Sequence, residues 1–300
     1  MIERGLVVGV EFVAGALSPG SELALGHAER LAAALGLPVT LLHSTADDER
    51  WDPERDEYVP YEPLTDAEKA ALDDIVARLR AASLEARLVV SEEQGVLAIC
   101  HEVTASGADL VLVGKRSVDA GDGRRLGSVA RSLIHDCPTA VWVARPVAGP
   151  APQRLLAAAD LSAVGERVVR CAAQVARVLE AELHVVHALS LPMDVQLRGG
   201  DARARYLEEK KQEAEQQLSA WLEGAPAVLH VGLTSPTQAV LAGVSKLEPE
   251  LVVIGTVARH GLPGLVVGNT AERLLDRLEP SLLVVKPEPA SAAGGARGSS

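Results

Sequence analysis

The sequence contains no run of about 18 apolar residues, so no segment is long enough to cross a bilayer as a helix. No apolar leader precedes the first strand-like run: Met1-Ile2-Glu3-Arg4 leads straight into it, without a secretory signal, and a reducing cytoplasm is the expected compartment. Positive charge is in short supply. The 29 Lys and Arg stand against 41 Asp and Glu, a net charge of −12. Phosphate binding relies on clustered Lys and Arg, so this balance argues against nucleic acid and against an anionic membrane surface as partners. Cysteine is scarce as well. Cys100, Cys137 and Cys171 form no spaced pair, and each lies inside an apolar helical pattern or just before a proline, so reduced thiols are expected. No Gly-rich loop ends in Lys-Ser or Lys-Thr, and no Gly-x-Gly-x-x-Gly follows a first strand, which removes two common phosphate loops. No nucleophile with a neighbouring base is recognisable.

What is present is one unit written twice. The 300 residues exceed one ordinary core and suit two domains of about 150 each. Short apolar runs alternate with longer helical patterns, the signature of βαβ units and a parallel sheet. The first unit reads Leu6–Val10 as a strand, then helix Ser21–Leu35 and strand Val39–His43. Helix Thr65–Ala82, strand Ala86–Val90 and helix Gln94–Ala105 follow. Strand Leu110–Gly114, helix Ser128–His135 and strand Ala140–Ala144 close it. After Pro150-Ala151-Pro152 the order recurs, from strand Leu155–Ala159 to helix Thr270–Leu278 and strand Leu282–Lys286. The fold class is therefore α/β, with two tandem five-stranded parallel-sheet, Rossmann-like domains at residues 1–148 and 153–288. Residues 289–300, rich in Ala, Gly and Ser, are expected to be a disordered tail. The apolar last strands should pack the two domains against each other, with Trp142 near the junction, and this leaves room for a homodimer.

Candidate site residues fall at strand ends. Glu11 and Asp160 each end a first strand, where an open parallel sheet binds ligands at its reversal of strand order. An acid there can hold a ribose hydroxyl or a metal ion, or cap a helix. The fourth strands end in Gly114 and Gly255, and Gly127 and Gly268 recur thirteen positions later at the mouth of a helix. Glycine admits an anion close to the backbone, and a helix start offers unpaired N–H groups; Ser128 adds a hydroxyl. The loop with Lys115, Arg116, Arg124 and Arg125 could clamp an anion or simply be solvated, while Leu262 to Val267 could line an apolar cavity or pack against the other domain. His184 and His187 point to opposite faces of one strand, poor geometry for a metal, and no metal site is expected. The stretch from Thr45 to Leu64, with Trp51, Tyr58 and Tyr61, reads as a long irregular loop, either a lid or an anchored excursion.

These motifs resemble the universal stress protein family, whose nucleotide-binding members carry Gly, two residues, Gly, nine residues, then Gly-Ser or Gly-Thr, with Asp ending the first strand. The stretch Gly255-Thr256-Val257-Ala258-Arg259-His260-Gly261 through Gly268-Asn269-Thr270-Ala271-Glu272 is similar to the tandem-domain branch called E-type. The resemblance implies an adenine nucleotide-hydrolase-like fold, and crevices for ATP or another adenine nucleotide that are partly degenerate. In the first unit Gly114, Gly127 and Ser128 match, but Ser117 replaces the middle Gly and Glu11 the Asp. In the second unit Asp160, Gly255 and Gly268 match, but Ala258 and Asn269 depart from the pattern. A Cβ at the middle position crowds the phosphates. The function implied is a non-enzymatic stress-response or regulatory protein. The alternatives are a carrier or sensor of an apolar or acyl ligand in the second domain, and a slow ATPase.

Overall fold

The computed structural model describes residues 1–13, 16–46, 50–52, 57–59, 64–115, 126–145, 151–196, 200–256, 274–275 and 277–288. The first half begins with β1 (Leu6–Gly9), a hairpin of β2 (Phe12–Val13) and β3 (Ala16–Leu17), α1 (Pro19–Leu35) and β4 (Val39–Ser44). A second hairpin of β5 (Arg50–Asp52) and β6 (Glu57–Val59) precedes α2 (Asp66–Ala81), β7 (Ala86–Ser91), α3 (Gly95–Ser106), β8 (Leu110–Gly114), α4 (Ser128–Asp136) and β9 (Ala140–Ala144). The second half contains β10 (Arg154–Ala158), α5 (Ala163–Leu179), β11 (Glu182–Leu189), α6 (Met193–Gln196) and α7 (Gly200–Leu222). It continues with β12 (Val228–Leu233), α8 (Pro236–Leu247), β13 (Leu251–Gly255) and β14 (Ser281–Val285). Leu274 and Leu275 are helical; the rest of the helix expected from Thr270 onward lies largely outside the described residues, as does the tail.

Local chemistry sets these elements. Ser18 caps α1 and Pro19 opens it, where a missing N–H costs nothing. Thr65 and Glu68 form a reciprocal capping box on α2, and Ser162 and Ser235 cap α5 and α8. The inner parallel strands are mostly apolar runs because both of their faces are buried, whereas the outer strands β7 and β12 stay partly exposed. Leu6, Val7 and Val8 are each almost wholly buried, as are Leu251, Val252 and Val253. Within each half the order, counting its own strands, is three, two, one, four, five, so the order reverses between strands one and four. The residues 45–64 are not wholly irregular, since β5 and β6 pair there in antiparallel fashion. Such two- and three-residue strands are too short to show a period in the sequence.

All ten main strands join one sheet in the order β12-β11-β10-β13-β14-β9-β8-β1-β4-β7. Every pair is parallel except β14 with β9, where Leu283 lies opposite Trp142. Hydrophobic layers on both faces of the sheet run across this seam without a break. Two buried cations fasten it reciprocally. Arg145, just past β9, donates to the Leu278 carbonyl at the end of a second-half helix, and its backbone N–H donates to Ser281 Oγ at 3.0 Å. Lys286, just past β14, donates to the Ile134 carbonyl near the end of α4. Helix C-termini carry unpaired carbonyls and partial negative charge, which is what makes a buried cation tolerable there. Gln174 of α5 adds a third tie, exchanging bonds of 2.9 and 2.8 Å with the backbone of Ile2.

Beside the seam His27 of α1 stacks on Trp142, ring centroids 4.9 Å apart. His27 is buried with neither ring nitrogen hydrogen-bonded among the described residues. Burial, with a smaller push from Arg30, holds its pKa down at about 4, so the ring is neutral at ordinary pH.

Candidate functional site

Each half opens a crevice where its strands one and four run out. In the first half, Ser18 is the pivot: its Oγ accepts from the Ser21 N–H at 3.1 Å, and its N–H donates to the Glu11 carbonyl at 2.9 Å. Ser21 Oγ in turn accepts from the Glu11 N–H at 3.0 Å. The β2–β3 hairpin fills the space between Glu11 and Ser18. His43 reaches from β4 to the Val10 carbonyl at 3.0 Å, and a carbonyl only accepts, so Nδ1 carries the proton. Gly127 caps α4 with extended backbone (φ −63°, ψ 160°) and no side-chain cap bond, which leaves the first-turn N–H groups of Ser128 and its neighbours to the crevice. Glu11, Ser21, His43, Gly114, Gly127 and Ser128 therefore do share one cavity, but it measures only about 130 Å³.

Its narrowness has a local cause. A Cβ at Gly114 would lie 2.1 Å from the backbone carbon of Gly20, and one at Gly20 would lie 2.7 Å from the Lys115 carbonyl oxygen. The start of α1 therefore rests backbone-on-backbone against the end of β8. Gly114 is needed for this contact, whatever the crevice holds.

The second half keeps the plan and changes the mouth. Asp160 follows β10 in a short turn; its Oδ1 accepts from the Ser162 N–H at 3.2 Å and from Ser162 Oγ at 2.5 Å, and Ser162 Oγ caps the Gly165 N–H at 3.2 Å. A Cβ at Gly165 would meet the Asp160 carbonyl oxygen at 1.8 Å, so glycine lets the turn fold down onto α5. His187 repeats the role of His43, donating from Nδ1 to the Ala159 carbonyl at 2.9 Å. At Gly255 the space for a Cβ is taken by the Val164 side chain, 2.5 Å away, rather than by backbone. The resulting cavity is about 590 Å³ and brings Asp160, Ser162, His187, Gly255 and Thr256 together with mostly aliphatic walls. Ser117, Ala258, Gly268, Asn269 and Thr270 lie outside the described residues, as do the Arg-rich loop beyond Lys115 and the apolar stretch 262–267.

Sequence reasoning misses Ser18, Ser21 and Ser162, which build both crevice floors. The available signal is a serine three residues ahead of the residue it caps, at matching places in the two halves. The histidines of β11 and β12 do meet: His184 Nδ1 and His230 Nε2 are 3.1 Å apart, and burial, then His184, lower the pKa of His230. Among the described residues no group of three His, Cys, Asp or Glu side chains could hold a metal ion, and no helix is long and apolar enough to cross a membrane.

Two parallel α/β units on one sheet, each with a strand-end crevice floored by a capped helix, define a tandem protein of the nucleotide-fold class. Residues 6–145 and 152–286 each match the universal stress protein family, and the chain belongs to that family. It is similar to Universal stress protein E of Escherichia coli, 29% identical over 209 residues; the matched stretch is 64% of this chain and spans only 65% of that relative's length. A second relative, Universal stress protein Rv2005c of Mycobacterium tuberculosis, is 28% identical over 304 residues, covering 95% of this chain and 97% of its own. A solved Pseudomonas aeruginosa protein described as functionally unknown shares the fold, with TM-score 0.75, 24% identity, and coverage of 95% and 93% of the two chains.

Proposed function

We propose that the protein is a non-enzymatic stress-response binding protein of the cytoplasm, whose working crevice lies in the second half and takes an adenine nucleotide. The observation that carries this reading is the inequality of the two cavities. Small-molecule sites usually occupy about 300–1,000 Å³ with apolar walls and a few placed polar groups. The second crevice, at about 590 Å³, falls in that range and the first, at about 130 Å³, does not. Asp160 at the rim suits ribose hydroxyls, and the aliphatic walls suit a base. Against turnover stands the commitment of its polar groups: Asp160 braces Ser162, and His187 gives its proton to a carbonyl.

A second reading follows from the same walls. Ala158, Val164, Val186, Val240 and Ile254 offer little to a phosphate and much to an acyl chain, so a carrier or sensor of an apolar ligand is the competing function. Native mass spectrometry of the purified chain, followed by calorimetric titration with ATP and AMP, separates the two. One nucleotide per chain without release of phosphate supports the first reading. A co-purified lipid with no nucleotide binding replaces it with the second, and two equal nucleotide sites overturn the assignment to one half.

A further inference from the structure

The outermost strand of the second half, β12, pairs among the described residues with β11 alone. In a parallel ladder alternate residues turn both backbone groups to the same side, so every second residue of β12 offers an N–H and a C=O to solvent. Sheet edges of this kind are commonly blunted by a charge, a proline or a bulge. The opposite edge follows that rule, since β7 carries Arg87, ion-paired to Glu102 of α3. β12 does not. It reads Val-Leu-His-Val-Gly-Leu, its register against β11 is unbroken, and Val228 and Leu233 at its ends are 45% and 46% exposed.

The two faces of this edge differ. Leu229 and Val231 pack into the apolar layer that includes Leu218 and Trp221 of α7, and α7 lies against β12 itself. On the other face α8 lies over β10 and β11, set back from the edge. Val228, His230 and Gly232 point to that face by alternation, beside a groove of about 320 Å³ whose far wall includes Gly243, Lys246 and Leu247 of α8. A Cβ at Gly232 would meet nothing within 4 Å, so the groove floor is open there. Lys246 is exposed, and among the described residues that line the groove none is a carboxylate. His230 is held neutral by burial, then by His184 and Lys246, which leaves Lys246 as the charge. We propose that β12 and this groove form a strand-addition site for an extended segment of another protein in which acidic and aliphatic residues alternate. The added strand takes up the free N–H and C=O groups of β12, and its side chains alternate between the two faces. Those on the α8 side enter the groove beside Lys246, which calls for a carboxylate. Those on the α7 side extend the row of Leu229 and Val231, which calls for an aliphatic group. A second copy of this chain fits less well: a two-fold axis through β12 would bring the two Lys246 side chains toward each other on one face, where like charges repel.

The test titrates the whole chain with two fluorescein-labelled peptides, one of alternating Glu and Val over six residues and its Gln-for-Glu counterpart. Binding is read by anisotropy, and hydrogen exchange of β7 and β12 is followed in parallel. The wild type should bind the Glu peptide about fivefold tighter than the Gln peptide, the worth of one partly exposed ion pair. Lys246→Glu, a change at an exposed position, should reverse that order. Saturation with the Glu peptide should slow exchange of the β12 amides about tenfold or more and leave β7 unchanged. A wild type that binds neither peptide, equal binding of both, or slowed exchange at β7 instead of β12 would overturn the proposal. So would a dimer whose β12 amides are already protected without peptide, because the edge then belongs to a second copy.

Discussion

At Gly114 the backbone of α1 lies against the backbone of β8, while at Gly255 the side chain of Val164 stands between helix and strand. The neighbouring walls differ in the same sense. Leu42 and Ile99 line the first crevice, and their counterparts in register and helix position, Val186 and Val240, line the second. Each replacement removes one methylene, and the helix is held off by a side chain, so the second mouth is the wider. The serine caps, the histidine-to-carbonyl bonds and the buried cations past the last strands are repeated in both halves. Duplication has kept what holds each unit together and let the mouths diverge.

The largest expected effect tests the backbone contact. Gly114→Val has no side chain to displace and should cost about 3 kcal/mol or more in urea unfolding. Gly255→Ala meets side chains alone, Val164 at 2.5 Å and Val168 at 3.2 Å; it should cost about 1–2 kcal/mol and should be largely rescued by Val164→Ala in a double-mutant cycle. Equal costs at the two glycines would break the contrast.

Next comes His27, which has Cys171 at the matching place in α5 and so titrates in one half only. The unfolded ring binds a proton below about pH 6.5, the folded one only below about 4. Protonation in that window therefore favours the unfolded chain, and stability falls as the pH falls. Between pH 7 and pH 5 the wild type should lose about 2 kcal/mol that His27→Leu retains, read from paired denaturation curves.

Smaller effects sharpen the difference between the crevices. Ala239→Trp fills the second cavity and should weaken nucleotide binding by about tenfold or more in calorimetry, since one excluded contact surface of this size is worth over 1 kcal/mol. Ile99→Val, widening the first, should leave that affinity unchanged. Asp160→Asn keeps the acceptor for Ser162 but removes the charge, and a few-fold loss is expected in the same titration. If Ile99→Val moves the affinity and Ala239→Trp does not, the working mouth is in the other half.

The repeated order of strands and helices is legible in the sequence because most of the parallel strands are compact apolar runs and several helices announce themselves with a cap. Gly36 ends α1 at φ 67°, and Thr65 with Glu68 opens α2, as such residues should. Glu11, Asp160, Gly114 and Gly255 are legible as strand-end residues, and Gly127 and Ser128 as a helix start, for the same reason. What sequence alone does not reveal is distance between elements. Gly114 reads equally well as an approach for an anion or for Gly20, and only the packing of α1 decides.

Because β14 runs against β9, the strands of one half point opposite to those of the other. Glu11 and Asp160 consequently sit on opposite margins of the shared sheet, and neither mouth looks toward its twin. No single small molecule can bridge them, and a protein docked on one margin touches only that margin's occupant. The two mouths therefore open back to back rather than onto a shared cleft.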